Sequence, residues 1–170
     1  MHHNFHICLI LLFFPFVIHA QINDSADINS NVVLDIGGPA GILSVNLEKN
    51  ILNFSRRIQL NAIFGIGSFR IVDYEQRINP DLIVPMGLQV LTGSHKHKVI
   101  IGLGSTYANI VMLDEIGNKK RRSTLNLYGK IGYRLNHVTG KSYLQLCYVP
   151  IIEQINGFRH WAGLSLGFKL

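Results

Sequence analysis

The feature that most constrains this chain is a strict two-residue alternation of apolar and polar side chains. It is plainest in Arg57-Ile58-Gln59-Leu60-Asn61-Ala62-Ile63-Phe64-Gly65-Ile66-Gly67. Ile58, Leu60, Ala62, Phe64 and Ile66 fall on one side of that segment; Arg57, Gln59, Asn61, Ile63, Gly65 and Gly67 fall on the other. A period of two marks a strand whose faces meet two different surroundings. A helix would mix both classes on every face.

The pattern recurs around Val32–Ile36, Leu43–Leu47, Val84–Val90, Val99–Leu103, Leu125–Tyr133, Leu144–Tyr148 and Ala162–Leu170, which makes eight segments. An even strand number closes an up-and-down antiparallel ring. About ten residues per strand cross a bilayer when tilted by about 45°. The expected fold is therefore all-β: an eight-stranded antiparallel up-and-down transmembrane β-barrel over residues 31–170. The links support it. Residues 92–96 and 135–140 are short and rich in turn formers, while 69–82, 106–123 and 150–160 are longer. Outer-membrane barrels alternate short turns with long loops in this way. The link Gly38-Pro39-Ala40-Gly41 is tight.

Composition narrows the setting. Charged residues make up 15% of the chain and hydrophobic residues 48%, against roughly a quarter charged in ordinary soluble domains. Disorder needs the opposite balance. The longest apolar run, Ile7–Ile18, is 12 residues, and a helical span needs about 20. Residues 1–20 instead read as a secretory signal with Ala20 before the cut, followed by a short polar segment, 21–30. Cys8 lies in that leader, so Cys147 is left alone in the mature chain. It reads as a small apolar filler in a strand, and no internal disulfide is expected.

Which face points inward decides the class. The polar sides carry Asp35, Glu48, Arg57, Gln59, Asn61, Gln89, Lys98, Asn126, Lys130, Arg134, Gln145 and Lys169. They are interleaved with Gly65, Gly67, Gly87, Gly102, Gly104, Gly132, Gly163 and Gly167. A solvated strand face gains nothing from glycine. A narrow lumen gains room for long side chains. The opposite sides carry Ile58, Leu60, Phe64, Leu88, Ile101, Leu127, Leu164, Leu166 and Phe168, which suit hydrocarbon. The competing expectation is a soluble exported barrel with these residues inward around an apolar ligand, as in lipocalins.

At this point a resemblance is visible. Asp35-Ile36-Gly37-Gly38, Ser44-Val45-Asn46-Leu47-Glu48, Ile83-Val84-Pro85-Met86-Gly87-Leu88, Gly129-Lys130-Ile131-Gly132-Tyr133-Arg134 and Trp161–Leu170 are similar to segments of small outer-membrane β-barrel proteins of the Bacteroidota type. The resemblance spans about Asn31 to Leu170. It implies an outer-membrane location and a structural or surface-interaction role, with no specific activity. The last segment also resembles the C-terminal signal read by barrel-assembly machinery, with Phe168 two residues before the end. That machinery and outer-membrane lipid are the implied partners, and the barrel is expected as a monomer.

Chemistry inside is expected to be structural. Five lumenal cations (Arg57, Lys98, Lys130, Arg134, Lys169) face two anions (Asp35, Glu48). Eight strands leave room only for side chains, so a salt-bridged plug is expected rather than an anion path. His95 and His97 flank a turn without neighbouring ligands, and no metal or cofactor is expected. A lipid-modifying enzyme would need a nucleophile and a base. The nearest pair, His160 and Ser165, falls on opposite faces of one strand. Lys119-Lys120-Arg121-Arg122 reads as a solvated loop tip able to touch phosphates of surface glycolipid. It has no stacking aromatics beside it, so nucleic acid is not an expected partner.

Overall fold

The computed structural model describes residues 30–170 except 56, 73–77 and 114–118; the side chains of 113 and 119 are also outside it. The leader and most of the polar segment 21–30 therefore lie outside the described residues. Eight strands follow in chain order: β1 (Ser30–Gly37), β2 (Leu43–Ser55), β3 (Ile58–Ser68), β4 (Leu82–Gly93), β5 (His97–Leu113), β6 (Lys119–Asn136), β7 (Ser142–Glu153) and β8 (Gly157–Lys169). Each pairs antiparallel with its sequence neighbours, and β1 pairs with β8 from Asn31↔Lys169 to Gly37↔Gly163, so the ring is closed. Closure leaves no open edge within the wall.

One end of the ring, the turn end, carries the short β2–β3, β4–β5 and β6–β7 turns and the strand termini Ser30 and Lys169. The other, the loop end, carries the remaining four links. Two long links shrink relative to expectation. β5 and β6 run on as a ribbon until Leu113 pairs with Lys119, and β7 and β8 leave only residues 154–156 between them. Near the loop end the two-residue alternation fades in the sequence while backbone pairing continues. Pro150, expected at the start of the 150–160 link, lies within β7. It sits in a gap of the β6–β7 ladder, which skips from Tyr128↔Ile151 to Ile131↔Tyr148. A proline without an amide hydrogen fits there.

The apolar sides point outward. Ile58, Leu88, Leu127, Leu164, Leu166 and Phe168 are exposed, as are Phe64 at 60% and Ile101 at 59%; Leu60 is half-buried. A lipocalin-like barrel requires the reverse, so that expectation is overturned. The interior is filled, with polar and apolar side chains in separate clusters.

Candidate functional site

The interior is built by the inward half of each strand. Toward the turn end its centre is Glu48 on β2, 1% exposed. Arg134 on β6 clamps it with two parallel bonds, Nη1 donating to Oε1 at 2.9 Å and Nη2 to Oε2 at 2.6 Å. Asn61 Nδ2 donates to Oε1, Gln89 Nε2 to Oε2 at 3.0 Å and the Tyr143 hydroxyl to Oε2 at 2.8 Å. Arg134 is held in turn. Its Nε and Nη2 donate to Gln145 Oε1, and its guanidinium lies 3.7 Å from the Tyr143 ring centre. A buried charge needs such multiple partners to offset lost hydration. Beside this cluster Asn46 Nδ2 donates to Asp35 Oδ2 and to Ser44 Oγ.

Glycine makes the room. Tyr143 stands opposite Gly167 on β8, and a Cβ there would strike the tyrosine ring. Tyr128 likewise covers Gly104 and Gly87; a Cβ at Gly87 would come within 2.5 Å of its hydroxyl. Large rings thus lie across strands that lack side chains at the facing position.

The expected lumenal residues divide by location. Asp35, Glu48, Asn61, Lys130, Arg134 and Gln145 are buried inside. Gln59 and Lys98 are half-buried near the turn end, the Lys98 ammonium donating to Gln59 Oε1. Arg57 and Lys169 depart from the expectation. Arg57 precedes β3 in the turn, where the Ser55 hydroxyl accepts from its backbone N–H, and its side chain is exposed. Lys169 has inward parity but sits at the exposed end of β8. Setting aside these two and the half-buried Lys98 leaves the fully buried charges of that set balanced: Lys130 and Arg134 against Asp35 and Glu48. The excess expected from sequence counted rim residues as lumen.

Toward the loop end the interior turns apolar. Val149, Ile151, Tyr128 and Cys147 form one cluster, against which Trp161 packs and which reaches down to Leu91 and Ile100 near the β4–β5 turn. Ala40, Ile83 and Ala108 form another, packed by Phe69 and Ile110. Above them is an open cup of about 440 Å³. Phe69 and Trp161 meet in it at 5.7 Å with tilted rings. Two ion pairs line it. Arg70 Nε lies 3.4 Å from Asp81 Oδ2, and Arg159 Nε lies 3.2 Å from Glu153 Oε2. Asp81 also accepts from the Val111 backbone N–H at 3.0 Å, and Arg70 Nη2 donates to the Val111 carbonyl at 2.8 Å. These side chains satisfy backbone groups of β5 beyond its ladder with β4, which ends at Leu82↔Asn109. The cup was not recognisable in sequence. Phe69, Arg70 and Asp81 lay in a link, and only the inward parity of Trp161 pointed to it.

The outer wall carries several aromatic side chains, Phe64 midway along β3 among them. His97 and Tyr133 hydrogen-bond near the turn end. Tyr148 bonds His160 at 2.5 Å between β7 and β8, and toward the loop end the Tyr107 hydroxyl donates to Ser123 Oγ at 3.1 Å. His160 thus faces outward while Ser165 is buried inside, on opposite sides of the wall. His95 lies exposed in the turn, its carbonyl accepting from Asn136 Nδ2. Of the basic run, Lys120, Arg121 and Arg122 are exposed at the loop end; Arg121 donates to Asn109 Oδ1 at 2.6 Å and to Asn79 Oδ1.

No protein-family model and no curated protein matches the chain. Solved structures do. The chain is similar to the N-terminal β-barrel domain of Pseudomonas aeruginosa OprF, with a TM-score of 0.57 and 11% identity over 84% of this chain and 96% of that one. It is similar to Ail, the attachment invasion locus protein of Yersinia pestis, at 0.53 and 12% identity, covering 84% of this chain and 96% of that one. Ail has also been crystallised in complex with the heparin analogue sucrose octasulfate, and that structure matches at 0.52 with 12% identity and the same coverage. At such identity the likeness is one of fold: eight antiparallel up-and-down strands in one ring, as in outer-membrane β-barrels.

Proposed function

We propose that this chain is an integral outer-membrane barrel with a structural or surface-interaction role, exported through the 1–20 leader and inserted by barrel-assembly machinery as a monomer. The observation that carries the reading is the outer wall. Tyr107 follows His97 by ten residues along β5. At about 3.3 Å per residue and a tilt of about 40°, these two side chains stand roughly 25 Å apart along the barrel axis, the height of the apolar band on such barrels. The wall between them is made of Val99, Ile101 and Leu103 on β5 and of Leu125, Leu127 and Ile131 on β6. Glu48 and Arg134, charges that hydrocarbon would reject, are paired inside. In this reading the turn end faces the periplasm and the loop end faces outward. The finer affiliation with the Bacteroidota type rests on the glycine-based motifs alone.

The test is extraction. The protein should stay in the membrane pellet after alkaline carbonate and should migrate differently on SDS gels before and after boiling. Release by carbonate would contradict the reading. Lys120, Arg121 and Arg122, with Lys119 beside them, are the contact we assign to phosphates of surface glycolipid. Replacing all four by alanine should weaken binding to lipid A vesicles at low salt, where such attraction is least screened. Unchanged binding would remove that role and leave the barrel reading intact.

A further inference from the structure

The cup at the loop end is a built site that the structural role does not use. Its volume, about 440 Å³, lies in the range of small-molecule sites. We infer that it binds a neutral saccharide, one sugar ring lying against Trp161; the inference rests on the barrel reading, which turns this mouth to the outside.

Three features select that ligand class. The first is charge. Arg70 and Arg159 are each already within ion-pair distance of a carboxylate, Asp81 and Glu153. A second anion or cation would gain little there, because its partner charge is committed. An acyl chain would have to desolvate all four groups. A ligand rich in hydroxyls gains instead, since paired guanidinium and carboxylate groups still offer donors and acceptors in fixed directions. The second is the aromatic pair. Trp161 is half-buried, and its ring and that of Phe69 meet at 57°. The negative face of an indole attracts the polarised C–H groups of a sugar ring. The third is an unused donor. Among the described residues the Trp161 indole N–H makes no hydrogen bond, so it is free to donate to a ligand hydroxyl. Nearby, Asn156 Nδ2 donates to Glu153 Oε2 at 2.7 Å and Asn126 Oδ1 accepts from the Gln154 backbone N–H. Both amides keep capacity for further bonds.

The chain supplies its own probe, because Trp161 is its single tryptophan. The refolded full chain, in a detergent without a sugar head group, is titrated with glucose, N-acetylglucosamine and maltose while Trp161 emission is followed. A saturable change with at least one of these sugars, insensitive to salt, supports the inference. Phe69→Ala and Glu153→Gln should then weaken binding by about tenfold each. Boiling-dependent gel mobility reports whether each variant is folded. Arg159→Ala stands in for one that is not. No response to any of the three sugars overturns the inference. So does a response only to sucrose octasulfate that fades with salt, which would mean an anion site. A response to an apolar fluorophore but to no sugar overturns it as well. The titration is done in detergent, so its failure leaves carbonate extraction free to support the barrel reading, and the reverse.

Discussion

The centre of the barrel and its loop-end mouth are lined by the same kinds of residue and behave oppositely. Around Glu48 an arginine, a tyrosine and two amides converge on one carboxylate, and a third amide, Gln145, holds the arginine. At the mouth two arginines, two carboxylates and two aromatic rings leave a cup. The difference is geometric. At the centre the partners come from strands on all sides of the ring, and glycines at facing positions let the rings cross the lumen. At the mouth Arg159 and Glu153 belong to adjacent strands, and Arg70 and Asp81 to a single link. Those charges neutralise one another along the rim instead of across it. A plug and a binding site can thus be made from one residue inventory.

The sharpest way to break this comparison is to cut the centre. Glu48→Gln leaves Arg134 buried without its anion and should cost about 3–5 kcal/mol. The measurement is the urea midpoint of the barrel refolded into vesicles, followed by gel mobility. The double variant Glu48→Met with Arg134→Met should recover most of that loss, because no buried charge is then left unpaired. If the single variant were neutral, the centre would be no more than a rim pair placed deeper.

A cation moved across the wall gives the next largest effect. Leu127 pairs with Ser105, between His97 and Tyr107 of β5, and is 58% exposed. Leu127→Arg should cost about 2–4 kcal/mol in vesicles, as cations do at the midplane of a barrel's lipid face. Arg134, further along β6, is tolerated because it points inward onto Glu48. The same residue type on two faces of one strand tests the direction of the wall.

Crowding separates filled space from open space. Gly167→Val drives a side chain into the Tyr143 ring and should cost about 1–3 kcal/mol through overpacking. Phe69→Ala in the cup should cost less, about 1 kcal/mol for the lost ring pair. If the two costs were equal, the mouth would be packed like the centre. Both follow from the same urea titration.

How much of this was legible follows from where each signal resides. Alternation is local, so the strands, the closed ring and the outward set from Ile58 to Phe168 could be read from neighbouring residues. The inward identity of Glu48, Asn61 and Arg134 could be read in the same way. Their convergence could not: Glu48 and Arg134 are 86 residues apart and Glu48 and Tyr143 are 95 apart, and parity states a side of the wall without a height or an azimuth. Arg57 and Lys169 carry inward parity yet sit at the rim, for the same reason. The cup was least legible, because links lack the two-residue period that sorts inside from outside. Trp161 was placed correctly by parity. Phe69, Arg70 and Asp81 had no pattern to place them.

The smallest expected effect is the most specific to the mouth. Arg159 is about half-exposed and Glu153 is nearer the wall, with side-chain exposures of 48% and 17%. A pair in contact with water gains little, because attraction is screened and two long side chains lose freedom in holding one geometry. Arg159→Ala should therefore shift the urea midpoint by no more than about 1 kcal/mol. A plug residue cannot behave this way, since removing one member of a buried pair strands the other. If Arg159→Ala destabilised the barrel as strongly as Glu48→Gln, the rim pairs would be structural braces and the cup a by-product of them. If instead the midpoint holds and sugar-dependent Trp161 emission falls, the arginine serves the mouth without holding up the wall.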